Sequence, residues 1–127
     1  MPERSSFEYC VIRVVPRVER QEFVNAGVVL HCKRKHYLDA RLDFELNRLA
    51  AFEPGCSLEI ARSHLRGIMT ICAGGEEAKP LGDVSKPERF RWIAAASSTM
   101  IQASPVHCGV CENPEQALDE LYERLVG

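Results

Sequence analysis

A chain of 127 residues with 46% hydrophobic and 27% charged residues has the profile of a globular protein with one core, read as a single domain over residues 1–127. No apolar run approaches the roughly 18 residues that cross a bilayer, and the start, MPERSSFEY, lacks the apolar stretch of a secretory signal, so a cytoplasmic location with no membrane association is expected. The net charge is −2, with 9 basic and 7 acidic residues in 1–50 against 7 and 11 in 51–127, which lacks the strong basic footprint of a nucleic-acid binder.

Phe7 to Pro16, FEYCVIRVVP, is rich in aromatic and β-branched residues and reads as a strand that Pro16 ends. After the charged turn RVERQ, Phe23–Cys32 reads as a second strand. Its even positions Val24, Ala26, Val28, Leu30 and Cys32 are all apolar. They match Cys10, Ile12 and Val14 on the first strand, so an antiparallel hairpin is expected with Cys10 and Cys32 on one buried side. Lys33–Lys35 fits a turn and His36–Leu42 a third strand. Asp43 is placed to cap a short helix, FELNRLAAF, closed by Glu53-Pro54-Gly55.

Ser57 caps a longer helix, in which Leu58, Ala61, Leu65, Ile68 and Cys72 recur at helical spacing. His64 lies at the edge of that stripe, where a packed or exposed side chain is commoner than a ligand. Gly74–Glu88 is a surface loop of a length often given to function. Ser85-Lys86-Pro87-Glu88 is a capping box opening a helix through RFRWIAAA. Ser98–Val106 reads as a fourth strand, stopped by Pro105. Asn113-Pro114-Glu115-Gln116 opens the last helix, with Ala117, Leu118, Leu121 and Leu125 as its buried stripe. The order implies an α+β fold: an antiparallel-rich sheet of about four strands with helices packed mainly on one face.

Six cysteines, Cys10, Cys32, Cys56, Cys72, Cys108 and Cys111, invite a disulfide or metal reading. The expected compartment argues against disulfides. His107, Cys108 and Cys111 give three zinc ligands of the four a structural site needs, and a fourth would have to come from the sheet. A redox dithiol needs its first cysteine at a helix N-terminus, whereas Asn113 and Pro114 start the helix after Cys111. A Cys108–His107 nucleophile pair is weakened by adjacency, because neighbours on a strand point to opposite faces. No cofactor is expected, and the acidic residues form no two-metal pattern.

Arg13 stands on the strand face opposite Cys10, Ile12 and Val14, and Arg89 and Arg91 flank the only tryptophan. Arginine near aromatic residues suits anion recognition; stems covering apolar area on a solvated face are the plainer reading. Asn25 and Gly27 lie off the expected core face, where Asn25 could bond a ligand or the hairpin backbone. Gly in a strand often marks a bulge or a close approach.

Three stretches, YCVIRVVPRVERQEFVNAGVVLHC, RFRWIAAASSTMIQASPVHCG and PEQALDELYERLV, together resemble the bacterial domain-of-unknown-function family numbered three thousand and thirty-seven. The resemblance runs from Tyr9 to Val126 and is most specific at Glu22–Leu30 and Ser104–His107. The family pattern does not require cysteine at 108 or 111, and often has Gly where this chain has Gln21. The resemblance implies a protein of unassigned activity, and a HipA-like serine/threonine kinase encoded nearby as its partner. The leading expectation is therefore a non-enzymatic binding or regulatory module with a binding patch of Arg13, Glu22, Asn25, Arg91, Ser104 and His107. One alternative is a small enzyme acting on an anionic substrate with His107 as general base. The other is a metal-binding protein using His107, Cys108 and Cys111. Contact with nucleic acid through Lys33–Lys35 ranks last, and the catalytic residues and oligomeric state are left open.

Overall fold

The computed structural model describes residues 3–55, 57–95 and 100–127, with the backbone alone at Val18. Strands β1 (Ser5–Val14) and β2 (Val24–Cys32) form the expected hairpin, joined through a 3-10 turn at Val18–Arg20, and β3 (Tyr37–Leu42) continues the sheet beyond β2. Helices α1 (Asn47–Phe52), α2 (Leu58–Ala73) and α3 (Lys86–Ala95) follow. The chain then returns to the sheet as β4 (Ile101–Ala103) and β5 (His107–Cys111) before α4 (Pro114–Leu125). The strand order is β3-β2-β1, with β4 and β5 end to end along the remaining edge of β1, and every pairing is antiparallel. The fold is α+β. The fourth strand expected over Ser98–Val106 is β4; its first two residues lie outside the described residues, and β5 is a further strand beyond Pro105.

The sheet is buried on both faces. On one, Cys10, Ile12, Val14, Val29, Leu38, Ala40 and Leu42 pack against Leu49 of α1, Ala61 and Leu65 of α2, and Phe90 and Ile93 of α3. On the other, Phe7, Val28, Leu30 and Cys32 pack against Leu118 and Leu121 of α4 and against Val126. Three helices thus share one face and α4 holds the other alone.

Cys10 and Cys32 do not share a face, contrary to the even-position reading. Ile12 pairs with Gly27 but Arg13 pairs with Asn25, so Ala26 is an extra residue. Such a bulge reverses which residues face which side. From Val28 onward the even residues of β2 point at α4, whereas Val24 packs on the opposite face. Both sets are apolar because a central strand covered on two sides needs apolar residues throughout.

Three expected caps are in place. Ser57 Oγ accepts from Ile60 N at 3.4 Å, Ser85 Oγ from Glu88 N at 3.4 Å, and Asn113 Oδ1 from Glu115 N and Gln116 N at 3.0 and 3.2 Å. Asp43 acts one step earlier than expected. Its carboxylate accepts from Glu45 N and Leu46 N, closing a turn, so α1 starts only at Asn47. The long loop folds into two 3-10 turns, Glu76–Ala78 and Leu81–Asp83, and buries Ala78. Arg89, buried, donates to Ile71 O at 3.0 Å and so caps the end of α2.

Candidate functional site

The two most specific stretches of the sequence build two irregularities on opposite sides of the same part of β1. On the β2 side lies the bulge at Ala26. On the other side, Ala103 pairs with Ile12 and His107 with Tyr9, so Ser104, Pro105 and Val106 face only Cys10 and Val11. Pro105 has no N–H to offer the ladder. Ser104 compensates: its N donates to Val11 O at 2.8 Å, and its Oγ accepts from Val11 N at 2.8 Å while donating to Pro105 O at 2.9 Å. Its hydroxyl is therefore committed to the backbone. Pairing then resumes as β5, which a local reading of Pro105 as a strand end could not foresee.

Asn25 and Arg13 face each other across the first bulge, on the α4 side. Asn25 Nδ2 donates to Leu125 O at 3.1 Å, tying the last turn of α4 to the sheet. The Arg13 guanidinium lies 4.3 Å from the ring centroid of Phe23, a cation–π contact. Gly27 is required by close approach, since a Cβ there would collide with Leu42 and come within 2.9 Å of Arg41 O.

Farther along the α4 side runs an open groove of about 650 Å³ between α4 and β5. Its floor carries the Phe7 and Tyr9 rings, 6.0 Å apart; just outside its lining, the exposed His107 ring is 5.5 Å from Tyr9. Gly109 keeps the floor flat, because a Cβ there would strike the Phe7 ring. Gln116, Glu120 and Arg124 of α4 form the wall, and Arg4 lies at the rim. Among the described residues neither Arg4 nor Arg124 has an acidic partner.

The six-residue patch divides. Arg13 and Asn25 are together, and His107 is on the same side of the sheet. It pairs four residues down β1 from Arg13, roughly 13 Å at ~3.3 Å per residue. Ser104 lies between them within the sheet edge. Glu22 is in the hairpin turn, bonded to Arg20 Nε at 2.5 Å. Arg91 is exposed on α3, against the opposite face. Phe7, Tyr9, Gly109 and Arg124 are groove residues that the sequence reading passed over; Gly109, a glycine within a β-favouring run, was the available signal.

Cys10, Cys32 and Cys72 are buried packing groups, Cys111 is half-buried and Cys108 exposed, while Cys56 lies outside the described residues. Strand alternation sends His107 and Cys111 to the α4 side and Cys108 to the other, and no trio of His, Cys, Asp or Glu among the described residues can hold a metal ion. Burial pushes the thiols of Cys10 and Cys72 up to about 12 and raises that of Cys111, against thiolate chemistry. On the α3 side, the buried His31 ring stacks on Phe90 at 5.6 Å, with Nδ1 3.5 Å from Glu8 Oε1. Its pKa is lowered by burial, which outweighs the upward pull of Glu8.

The groove combines aromatic area, a strand edge without charged side chains and a rim that carries Arg4 and Arg124 with Glu112 and Glu120. No curated protein and no solved structure matches the chain. The model of one family, described as proteins of unknown function, matches residues 9–126. The chain belongs to that family, DUF3037.

Proposed function

We propose that the protein is a non-enzymatic binding module that takes a segment of a partner protein in the groove between α4 and β5. The partner we assign is the HipA-like serine/threonine kinase that the family resemblance suggests. The observation that carries the reading is the half-buried Tyr9 ring, with the exposed His107 ring 5.5 Å from it, open beside Arg124 and above the buried Phe7. Aromatic residues and arginine dominate the energetics of interfaces between proteins, and a half-open aromatic floor in a chain of this size favours a ligand that covers it.

The commitment of Ser104 Oγ to Val11 N and Pro105 O takes that hydroxyl out of the reach of His107 as a base, which weighs against the enzyme reading. The binding reading is tested by titrating the purified chain into the purified kinase. His107→Ala and Arg124→Glu should each weaken binding at least about fivefold, the effect of losing ~1 kcal/mol at a hot spot. Arg91→Glu, on the opposite face, should leave it unchanged. Equal binding by all three variants would contradict the reading.

A further inference from the structure

The groove has only one wall. α4 lies over β2 and the adjoining part of β3, and on the far side, beyond β1, the floor ends at β5, the outermost strand. The free edges of the sheet differ. On β3, Asp39 turns its carboxylate onto Ala40 N at 2.8 Å, and Arg41 is held by Asp119 and Glu123 at 3.3 and 3.2 Å. Charged side chains thus guard that edge against another strand. By contrast Ser104–Cys111 carries no acid, lysine or arginine, while Val106 is 42% and Val110 62% exposed. Lys35 reaches Glu112 O at 2.6 Å, one residue past β5, and leaves the strand itself open. An uncharged, apolar, unguarded edge is a template for a further strand.

We infer that β5 of a second copy of this chain occupies that edge, the two strands running antiparallel about Gly109 across a two-fold axis. In this register Cys108 lies opposite the partner subunit's Val110, and His107 opposite the partner subunit's Cys111. Like charges never meet: Cys108 and Val110 face one another on one side of the sheet, and His107 and Cys111 on the other. The edge has no charge with which to select a foreign strand, whereas it is complementary to itself.

The second copy also completes the groove. A two-fold axis perpendicular to the sheet keeps both α4 helices on one side. From β2 of one copy to β2 of the other is five strand spacings, roughly 24 Å at ~4.8 Å each. Helices ~10–12 Å across leave a trough about 12–14 Å wide over Phe7, Tyr9, His107 and Gly109, enough for one polypeptide segment. Dimerisation stands apart from the kinase assignment, and its test uses this chain alone.

Sedimentation velocity of the full chain over a range of concentrations reads the result. The wild type should sediment as a dimer at the upper end. The double variants Cys108→Lys with Val110→Lys, and Cys108→Glu with Val110→Glu, place like charges opposite each other and should each sediment as monomers. Their equimolar mixture should recover the dimer, because the charges then alternate across the same register. Thermal melts report that each variant is folded, as expected for substitutions at exposed positions. A wild type that stays monomeric throughout, double variants that remain dimeric, or a mixture of folded variants that fails to associate would each overturn pairing about Gly109.

Discussion

Asn25 donates from Nδ2 to the main-chain oxygen of Leu125 at 3.1 Å, joining the second strand to the last turn of a helix one hundred residues away. The bond satisfies a carbonyl that α4 leaves free at its end, and it fixes the helix over the half of the sheet that borders the groove. Replacing Asn25 by Ala removes it and should cost about 1–2 kcal/mol. Asn25→Asp should cost more, since a carboxylate would face a carbonyl oxygen at the negative end of the helix. Urea denaturation measures both, and hydrogen exchange should quicken first in the last turn of α4.

Ser104 repairs the ladder beside a proline, so Ser104→Ala leaves Val11 N buried and unbonded. The expected loss is ~1–3 kcal/mol. Ser104→Thr keeps the hydroxyl and should recover most of it. Equal stability of the alanine variant and the wild type would show that another group takes up the Val11 N–H.

Gln21 occupies the left-handed region at φ 56, the backbone region that favours glycine. A non-glycine residue there is strained by roughly 1–2 kcal/mol, part of which glycine gives back through the greater freedom of its unfolded chain. Gln21→Gly should therefore raise stability by about 0.5–1 kcal/mol, read as a higher urea midpoint at unchanged slope.

His31 supplies a pH dependence. Its pKa is lowered in the folded protein by burial, with Glu8 opposing, so the unfolded chain binds its proton more readily. Stability then rises with pH across the interval between the folded and unfolded values. It is lost as pH falls below the ordinary histidine value of about 6.5. His31→Asn should flatten this slope. Glu8→Gln removes the opposing influence, lowers the folded pKa further and should extend the loss to more acidic pH. Chemical denaturation at a series of pH values checks both.

Features that depend on neighbouring residues were legible in the sequence. Ser57, Ser85 and Asn113 announce helix starts because an N-cap bond spans two or three residues, and the apolar stripe of α4 follows from helical spacing alone. The bulge at Ala26 was not legible. An unbroken apolar run in a strand covered on both faces looks the same with or without an extra residue, so Cys32 was assigned to the wrong side. β5 was hidden for a related reason: Pro105 is a strand stop by local rules, and the bond that bridges it comes from Val11, ninety-three residues away. Arg91 and Arg13 looked like members of one patch only because sequence does not say which face α3 covers. The groove itself arises where α4 leaves the β5 side of the sheet uncovered, a choice of packing that no single segment records.

The most direct test of partner binding at the groove is amide chemical-shift mapping of the isotope-labelled chain as the HipA-like kinase is added. Changes concentrated at Phe7, Tyr9, His107, Gly109 and Arg124 are expected, with Arg91 and the rest of α3 unchanged. Changes confined to the α2–α3 face, or none at saturating kinase, would contradict it.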